Sequence, residues 1–343
     1  MTPASITERI QSMALPGLGC AQLGNLYRVT SDQETAETLQ TSWNAGIRYF
    51  DTAPHYGLGL SERRLGAFLA GKPRDEYVLS TKVGRLIRPA DRPMSQDDQG
   101  FAVPGDRERV RDYSRDGVLR SVEESLTRLG LDRIDILYIH DPDDHWDEAI
   151  SGAVPALQEL RSQGVIGAWG AGMNQSAMLT RFVREADPDL VMCAGRYTLL
   201  EQGALDDLIP ACLERGTRIV AAGIFNSGLL AREWPADDAT YDYDQAPAAL
   251  IQRARALARL AGECGTSLPA VAAQFPARSE AVATTVIGMR GRVQVEDNLQ
   301  RFTAAVPEEF WERAYEAGLL RVATDKPNVP LGEGTMDDKR RTR

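Results

Sequence analysis

The sequence predicts a single (β/α)8 barrel. Eight short apolar segments alternate along the chain with longer segments of helical periodicity, and no polar low-complexity linker separates them. The chain has 343 residues, of which 43% are hydrophobic, and this is enough for one large core. Eight strands, each followed by a helix, are what a closed parallel barrel requires. We therefore expect one barrel domain over residues 1–323.

The residue pattern places each element in turn. Strands are expected at short apolar runs, and helices where apolar residues recur three and four positions apart, as at Val118, Val122, Leu126 and Leu129. The candidate strands are 17–22, 47–51, 77–82, 134–140, 166–171, 190–194, 218–222 and 284–287. The candidate helices are 31–45, 61–70, 117–129, 146–163, 176–186, 205–215, 247–264 and 269–278.

Two segments break this alternation. Residues 84–114 carry many Arg and Asp residues, three prolines and little periodicity, and they follow the third candidate strand at the end where barrel active sites lie. We expect a long loop there that serves as a substrate lid, with a plain surface insertion as the alternative. Residues 324–343 are polar with few apolar anchors, so we expect a disordered tail.

Composition and charge exclude several classes of partner. The 39 basic and 49 acidic residues leave a net charge of −10, which repels nucleic acid and anionic lipid. No apolar run is long enough to span a membrane and the first residues lack a signal segment, so we expect a cytoplasmic protein. The four cysteines are far apart and the only histidines are His55, His140 and His145, so we expect no metal site.

One lysine, Lys82, lies in an unusual sequence environment. Arginine is the default cation of this chain, because only four of its 39 basic residues are lysine. Lys82 nevertheless lies inside an apolar strand-like segment. An ammonium group changes its pKa on burial whereas a guanidinium does not lose its proton, so this position suggests chemistry rather than solubility.

Ionisable residues occur at the ends of three successive candidate strands. Asp51 ends the second strand, Lys82 the third and His140 the fourth, and Tyr56 lies in the loop after Asp51. Because the carboxyl ends of barrel strands lie on one face, we expect these four side chains to meet. Asp51 and Lys82 are expected to form an ion pair, since an unpaired buried lysine is costly. The ammonium should then pull the pKa of Tyr56 below about 10 and make it a general acid or base.

The segments IRYFDTAPHYG, SERRLG, VLSTKVGR, ESLTRLGLDRIDILYIHDPD and GAGMN resemble the aldo-keto reductases, in order and over roughly residues 15–302. The resemblance implies a catalytic tetrad at Asp51, Tyr56, Lys82 and His140. Within the family, STKVGRLIRP, YIHDPDDH, AGRYTLL and FNSGLL look most like the branch of D-threo-aldose (L-fucose) 1-dehydrogenases and pyridoxal dehydrogenases. That branch implies oxidation of a sugar hemiacetal to its lactone, with a small-molecule sugar or aldehyde as the partner.

The resemblance also implies where a nicotinamide cofactor binds. Asn174 matches the asparagine that holds the carboxamide. The usual glutamine after the sixth strand is Ala194 here and the usual ring-stacking tyrosine of the seventh strand is Ala222, so Phe225 and Asn226 become candidates for the ring contacts. The residues after the seventh strand that could reach the pyrophosphate, through backbone amides and short side chains, are Asn226, Ser227, Gly228 and Leu229, with an ordinary glycine turn as the alternative.

The segment GMRGRVQVEDN resembles the loop and helix start that hold the adenosine phosphate, where amides and the helix dipole favour anions. Its matching positions are Gly288, Arg290, Gln294, Asp297 and Asn298. Relatives that bind the 2′-phosphate of NADP often have lysine at the position of Gly288 and arginine at that of Gln294. The resemblance therefore favours NAD over NADP, although Arg290 and Arg292 leave NADP open, with plain solvent-facing arginines as the alternative.

Other functions remain compatible with the same residues. Lys82 could be the Schiff-base lysine of an aldolase, or the barrel could be a cofactor-binding regulatory subunit without turnover. Within the oxidoreductases, a pyridoxal 4-dehydrogenase and a general aldehyde reductase are the alternatives, and the sequence leaves the direction of reaction and the oligomeric state open.

Overall fold

The computed structural model describes residues 5–242 and 244–321. Eight parallel strands pair in the order β1-β8-β7-β6-β5-β4-β3-β2 and close into a barrel, as the sequence predicts. The strands are β1 (Gly17–Gly19), β2 (Tyr49–Asp51), β3 (Val78–Val83), β4 (Ile136–His140), β5 (Ala168–Met173), β6 (Leu190–Ala194), β7 (Arg218–Ala222) and β8 (Val282–Gly288). The predicted polar tail, 324–343, lies outside the described residues.

The helices pack around the outside of the barrel and at its amino-terminal end. They are α1 (Ile6–Gln11), α2 (Asp32–Asn44), α3 (Leu60–Leu69), α4 (Arg115–Leu129), α5 (Val154–Ser162), α6 (Ser176–Ala186), α7 (Leu208–Arg215), α8 (Ala248–Glu263), α9 (Leu268–Gln274), α10 (Gly291–Thr303) and α11 (Glu308–Glu316). One helical turn, Trp146–Glu148, and a π turn, Ala149–Ala153, lead into α5. None of these helices combines the length and hydrophobicity needed to cross a bilayer.

The elements differ from the predicted ones at a few positions. Strand β1 is shorter than predicted because the chain turns into a 3-10 helix at Ala21–Gly24. Helices α1 and α11 were not among the candidates, since neither lies between two predicted strands, whereas the start of α10 was expected from the resemblance of GMRGRVQVEDN. Helix α1 closes the amino-terminal end of the barrel with Ile10, which packs on the interior side chains of Tyr49 and Tyr138.

Residues 84–114 are not the irregular loop that we expected. Strands Arg85–Met94 and Gly105–Arg111 pair antiparallel and form a β-ribbon, which we call the mouth hairpin. Most of its residues are exposed and the buried residues of its first strand, Arg85, Leu86 and Ile87, are consecutive, so it has no apolar alternation by which the sequence could reveal it. Its tip is fixed to the loop after β1 by a bridge between Leu26 and Phe101 and by the Tyr27 amide, which donates to the Gly100 carbonyl at 2.7 Å.

A buried carboxylate ties α3 and α4 to the barrel wall. Glu62 is fully buried, accepts a hydrogen bond from the Thr81 hydroxyl of β3 at 2.8 Å, and pairs with Arg128 Nε at 2.5 Å. The two helices approach so closely that a Cβ on Gly66 would lie 1.9 Å from the Leu129 carbonyl oxygen. Glu62 thus fixes the helices behind the strand that carries Lys82.

We predict that Glu62→Ala lowers the free energy of unfolding by about 3–5 kcal/mol, because it leaves the Arg128 guanidinium without its buried partner. Denaturant unfolding of the purified protein measures this change. The matched control is Asp75→Ala, which breaks a pair with Arg133 whose side chains are 90% and 46% exposed and should leave stability unchanged. Equal effects of the two substitutions would contradict the anchoring role of Glu62.

Candidate active site

The four side chains singled out in the sequence meet at the carboxyl-terminal mouth of the barrel. Asp51 is the last residue of β2, His140 the last of β4, and Lys82 the penultimate residue of β3, while Tyr56 lies in the loop that leaves β2. All four line one cleft of about 790 Å³, which we call the mouth cleft. The parallel register of neighbouring strands therefore brings together residues that are far apart in sequence.

The predicted ion pair is present and fully enclosed. Lys82 Nζ lies 2.7 Å from Asp51 Oδ2, and the two side chains are 2% and 3% exposed. Lys82 Nζ also donates to the Thr52 carbonyl at 2.9 Å, and Asp51 Oδ1 accepts from the Ser80 hydroxyl at 2.7 Å. Both charges thus have hydrogen-bond partners, which is the condition under which a buried pair persists.

Tyr56 lies beside this pair and opposite His140. Lys82 Nζ is 4.9 Å from the centroid of the Tyr56 ring, and the rings of Tyr56 and His140 are perpendicular with centroids 6.0 Å apart. The ring of Phe101, at the tip of the mouth hairpin, lies 6.1 Å from that of Tyr56. The phenol is therefore enclosed by an ammonium, an imidazole and an aromatic cover.

The expected direction of the Tyr56 shift was wrong. Burial raises the pKa of Tyr56, the Lys82 ammonium lowers it, and the balance leaves it raised to about 12. A phenolate loses more by leaving water than it gains from the ammonium, whose charge is shared with Asp51. Lys82 limits the rise of this pKa without reversing it, so Tyr56 is protonated at neutral pH.

His140 is a neutral imidazole in this setting. Burial, followed by the charges of Arg85 and Lys82, holds the pKa of His140 well below its ordinary value. Its Nδ1 is buried without a hydrogen-bond partner, and its Nε2 lies 3.6 Å from Asp141 Oδ2. A neutral imidazole among cations can orient a substrate oxygen by hydrogen bonding without competing for the proton.

The structure adds residues to the mouth cleft that the sequence analysis missed. His55, Arg85 and Asp141 line it together with Phe101. Burial and the nearby Arg85 lower the pKa of His55 to about 2, so this ring is also neutral. Each of the three adjoins a predicted site residue or strand end, and that adjacency was the signal that could have identified them.

A second cleft of about 890 Å³ adjoins the first and shares residues with it, among them Gln22, Leu26, Gly223 and Gly288. We call it the groove. Most of the predicted cofactor residues line the groove: Phe225, Asn226, Ser227, Gly228, Gly288, Gln294, Asp297 and Asn298. Asn174 lines the mouth cleft instead, as do Ala194 and Ala222. The two clefts form one path from the helix start of α10 to Tyr56.

Two predicted cofactor residues do not line either cleft. The side chain of Leu229 is 2% exposed and packs in the hydrophobic core. The guanidinium of Arg290 turns to the Leu26 carbonyl, to which it donates at 2.5 Å. The groove instead contains Arg232 and Arg301, and Arg301 donates to Asn298 Oδ1 at 2.9 Å. Arg290 thus supports the groove wall through Leu26 rather than facing into the groove.

Gln22 and Gly288 provide a test of whether a dinucleotide fits. Gln22 Oε1 is buried without a hydrogen-bond partner at the junction of the two clefts. A Cβ on Gly288 would lie 2.3 Å from Gln22 Nε2, so a larger residue at this position would displace the amide from where it lies here. An unused polar atom in a groove that leads to the ionisable cluster is what an extended polar cofactor would need. The residues present therefore fit such a group.

The amides at the start of α10 already have partners. Arg290 N–H donates to Gln294 Oε1 at 2.8 Å, and Gly291 N–H donates to the Thr38 hydroxyl at 2.7 Å. An anion bound at this helix start would have to displace these side chains. The predicted phosphate site on the backbone amides is thus partly occupied by groups of the chain itself.

Comparison with known proteins identifies the family. The model of the aldo/keto reductase family matches residues 17–318, which include all eight barrel strands. The chain belongs to the aldo/keto reductase family. This aldo/keto reductase is therefore an oxidoreductase acting on CH–OH or aldehyde groups, and members of the family use NAD(H) or NADP(H).

Two curated relatives are similar over almost their whole length. The D-threo-aldose 1-dehydrogenase of a Pseudomonas species is 50% identical, in an alignment that covers 93% of this chain and 98% of the relative. The pyridoxal 4-dehydrogenase of Microbacterium luteolum is 39% identical, in an alignment that covers 89% of this chain and 94% of the relative. An aldo-keto reductase from Bacillus halodurans, solved in its holo form, has a TM-score of 0.67 and 26% identity over 89% of this chain and 92% of its own.

The alternative of a Schiff-base aldolase conflicts with the state of Lys82. A lysine must lose its proton to attack a carbonyl. Burial lowers the pKa of Lys82, but the Asp51 carboxylate, together with the Tyr56 oxygen, outweighs burial and raises the pKa above its ordinary value. Lys82 is thus held as an ammonium, which suits an electrostatic role and opposes nucleophilic attack.

We predict that Lys82→Met lowers turnover by about 10²–10⁴-fold, since Tyr56 loses the charge that limits its pKa. The same substitution leaves Asp51 buried and unpaired, which should cost about 3–5 kcal/mol of stability. The double variant Asp51→Asn with Lys82→Met removes both charges and should regain stability without regaining turnover. Steady-state kinetics and denaturant unfolding separate the two effects. Near-normal turnover of a folded Lys82→Met protein would contradict the assignment.

Proposed function

We propose that this chain is an NAD(P)-dependent aldose 1-dehydrogenase that oxidises the hemiacetal carbon of a sugar of the L-fucose or D-threo-aldose type to the lactone. The proposal rests above all on the enclosed cluster of Tyr56, Lys82, Asp51 and His140 at the barrel mouth. The 50% identity to a D-threo-aldose 1-dehydrogenase over 98% of that protein supports the choice of substrate class.

In this proposal Tyr56 acts as the base that takes the proton of the sugar C1 hydroxyl. The hydride that leaves C1 would be accepted by the nicotinamide of a bound cofactor. His140, neutral and lacking a partner on Nδ1, donates from Nε2 to the C1 oxygen and holds it against the Tyr56 hydroxyl. Lys82 stabilises the negative charge on the Tyr56 oxygen, and Asp51 keeps Lys82 in place and charged. In the reverse direction, protonated Tyr56 serves as the acid for an aldehyde.

We assign the cofactor to the groove. We assign Asn174 and Gln22, which line the mouth cleft, to the amide end of a nicotinamide, and the unpartnered Oε1 of Gln22 supports this assignment. The residues assigned to the pyrophosphate and ring contacts are Phe225, Asn226, Ser227 and Gly228, and those assigned to the adenosine end are Gly288, Gln294, Asp297 and Asn298. Asn226 already donates to the Gly195 carbonyl at 3.3 Å, so it orders the loops that form this wall.

We further propose that NAD is preferred over NADP. The Asp297 carboxylate lines the groove, where it can accept a hydrogen bond from a ribose hydroxyl but repels a 2′-phosphate. Arg290, the cation expected to bind that phosphate, donates to the Leu26 carbonyl instead. The cations that do line the groove, Arg232 and Arg301, are the residues through which NADP could still be used.

Oxidation of pyridoxal is the second candidate. It is favoured by the aromatic rings of Phe101 and His55, whose centroids lie 5.1 Å apart at the mouth cleft and could contact a pyridine ring. The 39% identity to a pyridoxal 4-dehydrogenase points the same way. Pyridoxal and simple aldehydes therefore belong in the substrate panel.

A panel of aldoses, aldehydes and pyridoxal, run with NAD and NADP in parallel, tests the proposal. We predict that an aldose with the configuration of L-fucose drives reduction of the cofactor, faster with NAD, and that Tyr56→Phe lowers this rate by at least about 10²-fold. Absorbance of the reduced nicotinamide is the readout. Tight cofactor binding with no turnover on any substrate would instead favour a regulatory subunit.

We predict that kcat/KM for oxidation rises with pH between about 7 and 9.5. Oxidation needs the deprotonated phenol, and with a pKa of Tyr56 raised to about 12 the phenolate fraction grows about tenfold per pH unit. The pKa of His140 lies well below its ordinary value, so no break from imidazole titration is expected between about pH 5.5 and 8. Residual activity of Tyr56→Phe should lack the rise. An optimum near pH 6.5 would contradict these assignments.

A further inference from the structure

The residue after His140 has an unusual backbone that fixes its side chain in the mouth cleft. Asp141 has a φ of 42°, in the left-handed region that non-glycine residues rarely adopt. Its N–H donates to the Gly172 carbonyl at 3.1 Å and its carbonyl accepts from the Tyr113 hydroxyl at 2.9 Å. Strain that persists because neighbours enforce it is typical of functional positions.

Arg85 meets this carboxylate from the base of the mouth hairpin. Its Nη2 lies 2.5 Å from Asp141 Oδ2, and its Nη1 is 3.4 Å from His55 Nδ1. The residue is only 9% exposed and lines the mouth cleft, yet its Nε is buried without a partner. Buried donors in folded proteins usually have hydrogen-bond partners. The free donor of Arg85 therefore suggests that a ligand bound in the cleft supplies the missing acceptor.

Acceptors remain available beside it. The Asp141 side chain is 32% exposed, and its contacts with Arg85 and His140 both use Oδ2. Asp143, two residues further on, also lines the cleft, and its Oδ1 is buried without a hydrogen-bond partner. The cleft thus presents a charged donor, Arg85, and charged acceptors, Asp141 and Asp143. They line the same cleft as His140, the residue that would hold the reacting oxygen.

The charges around the cleft are nearly balanced. The charged side chains that line it are Lys82, Arg85 and Arg111 on the positive side and Asp51, Asp98, Asp141 and Asp143 on the negative side. A phosphorylated sugar would need an excess of positive charge, which this lining lacks. The cleft therefore suits a neutral substrate with many hydroxyl groups.

We propose that Asp141 and Arg85 form a specificity subsite that binds neighbouring ring hydroxyl groups of a neutral aldose, close to its C1 carbon. The inference rests on the proposed aldose oxidation. An alcohol hydroxyl both donates and accepts, so a vicinal diol can donate to the Asp141 carboxylate and accept from the Arg85 guanidinium. A substrate without these hydroxyls displaces water from both charged groups and leaves them unpaired, so the site rejects it.

Asp141 also lies 3.6 Å from His140, so a purely positioning role for the imidazole has to be distinguished from hydroxyl binding. The two roles differ in how the effect of a substitution depends on the substrate. Loss of a positioning contact lowers turnover for every substrate equally, whereas loss of a hydroxyl contact affects only substrates that carry the hydroxyl.

The test compares an aldose that the enzyme oxidises with its 2-deoxy and 3-deoxy analogues, in the parent protein and in Asp141→Gly. Glycine adopts a φ of 42° without strain, so this variant removes the carboxylate but keeps the backbone. We expect the parent protein to prefer the full aldose over at least one deoxy analogue by roughly 10- to 100-fold in kcat/KM. In Asp141→Gly this preference should fall below about threefold, mainly through a higher KM for the full aldose.

Two further variants strengthen the experiment. Asp141→Asn keeps the side-chain volume and also tolerates the left-handed backbone, so it should reduce the preference if Asp141→Gly fails to fold. Asp106→Asn removes an exposed carboxylate from the mouth hairpin outside the cleft, and it should leave the preference unchanged.

Each outcome bears on a different claim. An unchanged hydroxyl preference in both Asp141 variants, or an equal loss for all substrates, would overturn the subsite while aldose oxidation by the parent protein stood. If the parent protein oxidised no aldose at all, the proposed function would fail and the subsite would fail with it.

Discussion

The arrangement of the mouth depends on one buried ion pair, that of Lys82 and Asp51. Replacing such a pair by apolar residues often costs nothing in stability, so its presence in a barrel interior is better explained by chemistry than by folding. Further polar side chains inside the barrel form a hydrogen-bonded chain that begins at Asp51. Asp51 accepts from Ser80, whose hydroxyl lies 3.1 Å from that of Tyr49, which in turn is 3.2 Å from that of Tyr138. The tyrosines of the barrel core thus extend the hydrogen-bonding environment of the ion pair.

The same pair, together with burial, determines which of the neighbouring groups are protonated. Asp51 and Tyr56 raise the pKa of Lys82 although burial opposes them, so the lysine keeps its charge. Burial and the cations around His140 hold its pKa low, so it stays neutral. Tyr56 is left as the group whose protonation can change during reaction, since burial and Lys82 act on its pKa in opposite directions. This division suits the single proton transfer that the proposed oxidation requires.

The sequence predicted the barrel and the four central residues because both follow from strand order and strand ends. It could not predict the mouth hairpin, most of whose residues are exposed and whose first strand includes Pro89 and Pro93. It also missed the pairing of Arg85 with Asp141, because these residues are 56 positions apart and their nearness to strand ends does not by itself reveal the contact. The assignment of Leu229 and Arg290 to the cofactor stays a prediction, and the sequence could not show that the Leu229 side chain packs in the core or that Arg290 donates to the Leu26 carbonyl. The predictions of a cytoplasmic protein, of no nucleic-acid or membrane partner and of residues 1–323 as one domain stay predictions.

In the proposed reaction, the barrel strands carry the reacting groups and the mouth hairpin helps to select the substrate, and Tyr113 joins these two parts of the molecule. The strands fix Asp51, Lys82 and His140, whereas the mouth hairpin carries Arg85 and Phe101. The Tyr113 hydroxyl donates to the carbonyls of both His140 and Asp141, at 2.7 and 2.9 Å, just after the hairpin returns to the barrel. Gly84 makes room for this ring, since a Cβ there would lie 2.2 Å from it. The base of the hairpin is therefore fixed to the catalytic strand, so the hairpin can vary in its exposed residues without moving His140.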